Sequence, residues 1–269
     1  MSDLRERLGY AGLDAIVPQW DGPANVRALV TTRRGGVSVG DRASLDLGPA
    51  RLATLDAVTR AAVEENRRRL RAVLPDEPVW LEQVHERDVV VVDEANVAAL
   101  RVSAPIADAA VTRLAGVPLA VRVADCLPLV LADAAGSVVA VAHAGWRGLA
   151  AGVVEATVAA MRVVPADLRV WLGPAIGRDA FEVGDDVRDA FCDQHAEDAS
   201  HFRAYRARTW LADLRALAVA RLARGGVASV ASIDACTFSD ATRFYSWRRD
   251  RAAGRFAALA WRAPPAEGV

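Results

Sequence analysis

Short apolar stretches, each bounded by turn residues, recur along the chain and predict a fold rich in buried strands. A continuous apolar run of about four to eight residues between turn signals is typical of a strand that is covered on both faces. On this pattern we predict strands at Asn25–Thr31, Val79–Val84, Asp88–Asp93, Leu119–Val123, Ser137–Ala142, Arg169–Leu172, Val227–Ile233 and Gly254–Trp261.

Helical periodicity is confined to fewer segments. Apolar residues that can share one helix face predict helices at Thr54–Leu74, Leu149–Met161, Asp186–Cys192 and Trp210–Arg224. Strands outnumber helices and do not alternate evenly with them, which indicates a single α+β domain with mixed β-sheets. Because no linker or repeat divides the chain, we expect an N-terminal extension over residues 1–24, one catalytic domain over 25–262 and a flexible tail over 263–269.

The composition excludes several classes of chemistry. The 269 residues are 53% hydrophobic and 25% charged, a balance typical of globular proteins with a substantial core. The net charge is −1, so we expect neither nucleic acid nor an anionic membrane surface as a partner. All 33 basic residues are arginine, which excludes Schiff-base lysines and a lysine-dependent phosphate loop.

Cysteine usage favours a reducing compartment, and the hydropathy pattern indicates neither secretion nor membrane insertion. The three cysteines are an odd number without the spacing of a disulfide framework. The first ten residues lack the apolar segment of a secretion signal, and no apolar run approaches the roughly 20 residues of a membrane span. We therefore expect a cytoplasmic location and no membrane association.

Three predicted strands lead into residues that commonly bind metals or act as nucleophiles, namely His85, Cys126 and His143. The last of these precedes the turn Gly145–Gly148, which opens directly into a helical pattern. Loops after strands carry much of the function of proteins, and helix starts leave backbone N–H groups free. We expect these three residues to form the functional centre.

Two imidazoles and one thiolate are a common ligand set for zinc with an open fourth position, where the metal lowers the pKa of a water molecule. The three residues lie 41 and 17 positions apart, and neither a Cys-x-x-Cys nor a His-Glu-x-x-His signature is present. The spacing therefore leaves three interpretations open. They are a zinc site, a metal-free Cys–His catalytic pair, and buried structural residues, since cysteine is among the most buried residue types.

Further candidates for ligand binding lie outside this trio. Arg33 lies in the turn Thr31–Gly36, where a guanidinium suits phosphate or carboxylate and the paired glycines allow positive φ. The alternative there is a solvated hairpin turn. Arg248 follows a group of aromatic residues, with a surface ion pair as its alternative. Gln83 lies two positions before His85 and shares its strand face.

Nine short motifs resemble the family historically described as polyphenol-oxidase laccases and now as purine nucleoside phosphorylases. The resemblance extends from Val26 to Trp261, and the motifs around the three candidate ligands are its most specific part. The motifs are Thr31–Ser38, Ser44–Gly48, Glu65–Leu70, Trp80–His85, Ala124–Asp133, His143–Gly152, Trp171–Gly177, Phe181–Gly184 and Phe244–Asp250. The chain departs from the family pattern at Asp46, Glu86 and Arg251, where Asn, Gly and Gly are usual.

The resemblance implies a zinc ion held by His85, Cys126 and His143. It implies phosphorolysis of adenosine, inosine and S-methyl-5′-thioadenosine, with deamination of adenosine as a second activity. Its fold would be a sandwich of mixed β-sheets flanked by helices, similar to that of cysteine hydrolases. The small-molecule partners would be a purine nucleoside and phosphate.

Roles for individual residues follow from the resemblance as expectations. Asp125 and Glu86 are candidates to transfer a proton during attack at C6 of the purine. Arg33, Arg147 and Arg248 are candidates to hold phosphate against the ribose, with Arg147 favoured because it opens the helix after the second histidine.

Two residues are assigned to the nucleoside. Trp146 is a candidate to stack on the purine base, with a purely structural tryptophan as the alternative. Gln83 is a candidate for substrate binding because of its place beside the first histidine.

Two alternative functions remain from the residues alone. In a metal-free hydrolase acting on an amide such as a peptidoglycan precursor, Cys126 would be the nucleophile and His143 or His85 the base. The other alternative is a metal-binding domain without catalysis. Copper can occupy the trio as an adventitious metal, since copper(II) outcompetes zinc at most such sites. A multicopper oxidase is excluded, because four histidines in all cannot supply a blue site and a trinuclear cluster.

Overall fold

Fourteen strands and eight α-helices are present in the computed structural model, which describes residues 2–251 and 254–264. The strands are β1 Ala15–Ile16, β2 Val26–Thr31, β3 Val79–Trp80, β4 Val89–Val92, β5 Ala109–Thr112, β6 Leu119–Val123, β7 Leu127–Asp133, β8 Val139–Ala144, β9 Leu168–Leu172, β10 Glu182–Gly184, β11 Phe202–Arg206, β12 Thr209–Ala212, β13 Ser229–Ser232 and β14 Phe256–Arg262. The helices are α1 Ser2–Tyr10, α2 Ala57–Arg71, α3 Val97–Val102, α4 Trp146–Ala151, α5 Val153–Met161, α6 Asp185–Cys192, α7 Leu214–Arg224 and α8 Trp247–Asp250.

Three sheets organise these strands. One has five strands in the order β1-β2-β14-β6-β3, one has six in the order β13-β9-β7-β8-β5-β4, and a small one has the order β10-β12-β11. Both large sheets are mixed, because β3 runs parallel to β6 and β13 runs parallel to β9, whereas β14 and β7 run antiparallel to their neighbours. These mixed sheets in a single domain confirm the predicted α+β class.

The two large sheets pack face to face, and alternate residues of a strand point to opposite sides. In β8, Val139 and Val141 belong to the buried apolar cluster between the sheets, together with Val121 of β6 and Ala258 of β14. The intervening Ala140 belongs to a second cluster on the other side of the six-stranded sheet. Because both faces are covered, the strands read as nearly continuous apolar runs in the sequence.

Helices cover the outer faces of the sandwich. On the five-stranded sheet, Leu8 of α1 and Leu70 of α2 are buried in one cluster with Leu259 of β14. On the six-stranded sheet, Val154 of α5 and Leu217 of α7 belong to the second cluster. Each such side chain contributes about 1.5–3 kcal/mol through burial. The arrangement confirms the expected sandwich flanked by helices.

Two helix boundaries differ from the sequence-based prediction because a capping aspartate lies inside the predicted segment. The carboxylate of Asp56 accepts hydrogen bonds from the N–H groups of Val58 and Thr59, so α2 begins at Ala57 and not at Thr54. In the segment predicted as one helix over Trp210–Arg224, the first residues pair in the small sheet as β12. Asp213 then caps α7 through the N–H of Ala216.

A third helix prediction was wrong at its middle. The segment predicted as one helix over Leu149–Met161 is divided at Gly152, whose φ of 96° lies in the left-handed region that ends helices. The helix α4 also begins earlier, at Trp146, directly after Gly145. This short helix therefore starts at the turn that follows the second candidate histidine.

The chain termini relate differently to the core. Within the segment predicted as an extension, β1 pairs with β2, and Leu4 and Leu8 of α1 are buried against the five-stranded sheet. At the other end, the N–H of Ala263 donates to the carbonyl of Asn25, and residues 265–269 of the predicted tail lie outside the described residues. No helix in the described part of the chain is long and apolar enough to cross a membrane.

Candidate metal centre

Three separate chain segments bring the predicted trio together at one end of the sandwich. His85 follows β3, Cys126 lies between β6 and β7, and His143 lies inside β8, where it pairs with Pro128. The candidate ligand atoms of the three residues all lie within 4.8 Å of one another. The Cys126 Sγ atom is 3.8 Å from Nε2 of His85, and the two imidazole rings meet edge to face.

The three side chains differ in exposure. His85 is exposed, Cys126 is half-buried and His143 is 3% exposed. His143 is buried because β8 lies inside the six-stranded sheet, whereas His85 belongs to a surface loop. The trio is therefore buried on the side of His143 and open to a ligand on the side of His85.

The sequence-based search missed Asp108, which is fully buried beside the trio. Its carboxylate contacts Nδ1 of His143 at 2.7 Å and accepts hydrogen bonds from the N–H groups of Val84, His85 and Glu86. One aspartate thus orients one imidazole and anchors the loop that carries the other. The only signal in the sequence is an acidic residue at the start of an apolar strand, which carries no spacing that relates it to a histidine.

Hydrogen bonding decides the charge of this aspartate. Burial alone raises the pKa of Asp108, but the hydrogen bonds from His143 and from the backbone of Glu86 and Val84 outweigh it and hold the pKa below its usual range. The carboxylate form fixes the proton of His143 on Nδ1 and leaves Nε2 for a metal or a proton. Histidines that bind a metal usually donate their other ring N–H to such a carboxylate or to a carbonyl.

Cys126 and His143 stabilise each other's charged forms. Burial raises the pKa of the Cys126 thiol, yet the two imidazoles lower it to about 6. Burial lowers the pKa of His143, but the Cys126 thiolate and Asp108 raise it to about 9. Near neutral pH both shifts favour the thiolate of Cys126 and the imidazolium of His143.

The backbone at the trio adopts conformations that need external support. His85 has a φ of 65° and Asp125 a φ of 90°, both in the left-handed region that non-glycine residues rarely adopt. Each such residue costs about 1–3 kcal/mol, which the surrounding hydrogen bonds must offset. At His85 these hydrogen bonds come from the carboxylate of Asp108. At Asp125 the backbone carbonyl accepts a hydrogen bond from the N–H of Ile176.

Two glycines of the turn after β8 are required by space. A Cβ atom on Gly145 would lie 2.9 Å from both Cys126 Sγ and His85 Cδ2. A Cβ atom on Gly148 would lie 2.8 Å from the carbonyl oxygen of Glu86. These glycines allow α4 to approach the other two segments of the site. The glycines of the His143–Gly152 motif are therefore explained by lack of space for a side chain.

The trio lines a cavity of about 720 Å³, a volume that suits a nucleoside-sized ligand. Five arginines and two acidic residues contribute to its wall, so the cavity is electropositive. Those seven residues are Arg42, Arg122, Arg147, Arg248 and Arg255 with Glu82 and Asp125.

Of the predicted substrate-binding residues, Trp146 and Arg147 lie at the start of α4 and line the cavity. The guanidinium of Arg147 is exposed and stacks on the Trp146 ring at 4.5 Å. Gln83 also lines the cavity, but its amide is engaged. Its Nε2 donates to the carbonyl of Arg122 and its Oε1 accepts from the N–H of the same residue.

Asp125 is buried below the cavity and binds three donors. Its carboxylate accepts from the hydroxyls of Thr237 and Ser246 and from the N–H of Arg248. The Arg248 guanidinium in turn donates to the carbonyl of Glu182. The residue next to Cys126 therefore holds the start of helix α8, which carries a predicted phosphate ligand.

The structure does not bring Arg33 into the cavity. Its guanidinium donates to the carbonyls of Ala43 and Ala241 and stacks on Tyr245 at 4.6 Å. Among the described residues the cavity wall does not include it. Glu86, the other predicted proton donor, is exposed next to His85, and its N–H is bound to Asp108.

Sequence reasoning missed three of the cavity arginines, namely Arg42, Arg122 and Arg255. Burial lowers the pKa of Arg122 to about 10 and lowers that of Arg255, and the Cys126 thiolate partly restores the latter. Each of these arginines lies in or beside a strand or turn without any motif of its own. Nothing in their spacing relates them to one another.

The donor set can hold a metal ion. Two imidazole nitrogens and one thiolate lie within 4.8 Å of one another, so a small approach of these side chains brings all three to bond lengths of about 2.0–2.3 Å from a shared centre. Asp108 supplies the outer hydrogen bond and Gly145 the space. The site can therefore hold one metal ion with a fourth position open to the cavity.

Comparison with known proteins identifies the family to which the chain is similar. The family described as "Multi-copper polyphenol oxidoreductase laccase" matches residues 27–263. A purine nucleoside phosphorylase of Pseudomonas aeruginosa is 51% identical over 91% of this chain and 97% of its own length. The purine nucleoside phosphorylase YfiH of Escherichia coli K12 is 45% identical over 91% of this chain and 98% of its own.

Solved structures show the same fold. The crystal structure of a Neisseria meningitidis protein superposes with a TM-score of 0.85 at 44% identity, covering 93% of this chain and 99% of that one. A Geobacillus stearothermophilus protein, YlmD, superposes with a TM-score of 0.80 at 32% identity, covering 90% and 93% of the two chains. The chain therefore belongs to the laccase-described family that includes proteins named purine nucleoside phosphorylases.

Proposed function

We propose that this protein is a metal-dependent purine nucleoside phosphorylase that acts on adenosine, inosine and S-methyl-5′-thioadenosine. The observation that carries the proposal is the group of His85, Cys126 and His143 at the base of an electropositive cavity of about 720 Å³. An oxidase that needs several copper ions has no support in a chain with four histidines. The names of the relatives favour nucleosides and phosphate as the substrates.

Zinc is the metal that this donor set favours, with copper as an adventitious occupant. When bound, the ion would supply Lewis-acid polarisation of a substrate group. His85, Cys126 and His143 would hold it, and Asp108 would keep the proton of His143 on Nδ1. The thiolate form of Cys126, already favoured by its neighbours, suits metal binding.

In phosphorolysis a phosphate oxygen forms a bond to the ribose C1′ while the bond from C1′ to the base nitrogen breaks. The electron pair of that bond leaves with the base, which takes up a proton. Cationic groups on the wall would stabilise the phosphate, and Trp146, which lines the cavity, remains the predicted residue to stack on the purine. Arg147 and Arg248 remain predicted phosphate ligands, whereas Arg33 is engaged outside the cavity.

Deamination of adenosine at C6 is the second activity that we propose, with water as the nucleophile and ammonia as the leaving group. A side chain must move the proton between them. Asp125 and Glu86 remain the predicted candidates, and Glu86 is the more accessible because it is exposed whereas three donors surround Asp125.

A second candidate function rests on the spatial arrangement of Asp108, His143 and Cys126. Their arrangement resembles the catalytic site of a cysteine hydrolase, in which an acid orients a base and the base activates a thiol. In that case Cys126 would attack the carbonyl carbon of an amide such as a peptidoglycan precursor. The cytoplasmic location and the absence of a nucleic-acid partner stay predictions for either function.

The experiment is turnover of adenosine with phosphate by metal-quantified protein, beside Cys126→Ala and a control, Cys192→Ala. Cys192 is a half-buried free cysteine on α6 outside the trio. We expect adenine and ribose 1-phosphate from the wild type and the control, with about one zinc per chain in both and loss of metal and product in Cys126→Ala. Inosine as a product reports deamination.

Two outcomes contradict the proposal. Zinc-loaded wild type that forms neither adenine nor inosine would exclude nucleosides as substrates. Amide hydrolysis that survives a chelator but not a thiol alkylator would identify the metal-free hydrolase, provided that Cys192→Ala responds in the same way as the wild type.

A further inference from the structure

Three arginines that line the cavity each contact one loop, at residues 46–48. Nη1 of Arg42 lies 2.6 Å from the carboxylate of Asp46, whose other oxygen accepts from the N–H groups of Gly48 and Arg255. The guanidinium of Arg122 donates to the carbonyl of Gly48. The loop at residues 46–48 therefore contacts the guanidinium groups of Arg42 and Arg122 and the backbone of Arg255.

Sheet geometry brings two of them side by side. β14 pairs antiparallel with β6, with Ala257 opposite Arg122. Arg255 lies two positions before Ala257 and hence on the same face of the sheet as Arg122. This face is the outer one, since Ala257 and Ala120 both belong to the cluster beneath α1 and α2.

Among these three arginines, Arg42 is paired with Asp46, whereas the guanidinium of Arg122 is bound by backbone carbonyls. Arg122 donates to the carbonyls of Gly48 and Leu81, and no carboxylate oxygen in the described residues lies within 4 Å of its guanidinium. The half-buried Arg67 donates to the carbonyls of Leu47 and Pro49 and stacks on the Trp80 ring at 4.4 Å. Buried charges are costly unless paired, so an anion from solution is the natural counter-ion.

We propose that Arg42, Arg122 and Arg255 form the subsite that binds inorganic phosphate. The assignment rests on the proposed function, because it places the second substrate of that reaction in the same cavity. Arginine suits phosphate, since its planar fork of N–H groups matches two phosphate oxygens. The subsite lies on the β6 and β14 side of the cavity, where β6 leads into Asp125 and Cys126.

The test measures phosphate binding directly, without turnover, by calorimetric titration of inorganic phosphate into metal-loaded protein. Arg255→Gln and Arg42→Gln are compared with Arg33→Gln, a control whose guanidinium is engaged outside the cavity. We expect at least a tenfold rise in the phosphate Kd for the first two variants and less than a threefold change for the control. Two independent subsite variants guard against misfolding of either one, which circular dichroism and metal content would reveal.

Kinetics supply the second measurement. Arg255→Gln should raise the KM for phosphate at least tenfold, while the KM for adenosine stays within threefold of the wild type. Wild type that binds phosphate without converting any nucleoside would contradict the proposed function and leave the subsite supported.

Three results would overturn the subsite. The first is a wild type that does not bind phosphate. The second is loss of phosphate binding in Arg147→Gln or Arg248→Gln while Arg255→Gln and Arg42→Gln still bind it. The third is a preference for a nucleotide over inorganic phosphate. The last would appear as adenosine 5′-monophosphate binding more than tenfold tighter than inorganic phosphate through Arg255. That result would assign the cluster to an ester phosphate.

Discussion

The two sides of the cavity are held in different ways. On the metal side, an aspartate fixes one histidine and the backbone of the other, so both histidines are positioned by charged hydrogen bonds. On the arginine side, Arg42 is paired with Asp46, whereas the half-buried Arg122 is held by backbone carbonyls, with no carboxylate within 4 Å in the described part of the chain. The metal side thus has an internal carboxylate as its partner, whereas on the arginine side the proposed phosphate would supply the counter-ion of Arg122.

The largest expected effect comes from Asp108→Asn, which should weaken metal binding by about 10–100-fold, or about 1.4–2.7 kcal/mol. The amide removes the negative charge that fixes the proton of His143 and replaces one acceptor oxygen with a donor. Metal affinity is measured by competition with a chromophoric chelator, and phosphate affinity should change less than threefold.

Asp133→Asn is the matched control for this variant. Asp133 is also buried and accepts from the N–H groups of Ser137 and Val138 and from the Ser137 hydroxyl, in a turn between β7 and β8. Its replacement should lower stability without changing metal affinity. Equal losses of metal affinity in both variants would mean that Asp108 acts only through general stability.

Gly145→Ala should weaken the metal site by about 1–3 kcal/mol, because the added methyl lies 2.9 Å from two ligand side chains. The same substitution at Gly9, inside α1 with no atom within 4 Å of a new Cβ, should stabilise the protein by about 0.5–1 kcal/mol. Metal affinity and urea denaturation are measured for both. Unchanged metal affinity in Gly145→Ala would show that the ligands can separate without loss.

Asp125→Asn should have the smallest effect on metal affinity or phosphate affinity taken alone, but it should change both. The amide cannot accept from all three donors now bound to Asp125, so one buried donor is left unpaired at a cost of about 1–3 kcal/mol of stability. Because Asp125 lies beside Cys126 and holds the N–H of Arg248, metal and phosphate affinities should fall together, each by less than tenfold. A change in only one of the two affinities would show that Asp125 does not couple them.

Much of the fold follows from local pattern. The strand predicted at Leu119–Val123 matches β6, and the unbroken apolar runs correctly indicated sheets covered on both faces. The helix errors arose where a capping aspartate or a left-handed glycine overrode the average pattern, as at Asp56 and Gly152. Such single residues decide boundaries that periodicity over a window cannot resolve.

The sequence by itself determined the chemistry available to this protein. It has four histidines, a lysine-free set of 33 basic residues and three motifs that contain His85, Cys126 and His143. Only the tertiary structure decided which other residues take part. Asp108 reaches His143 because β5 pairs with β8, and Arg122 meets Arg255 because β6 pairs with β14. Contacts between strands are set by sheet order and register, and neither leaves a fixed spacing in the sequence.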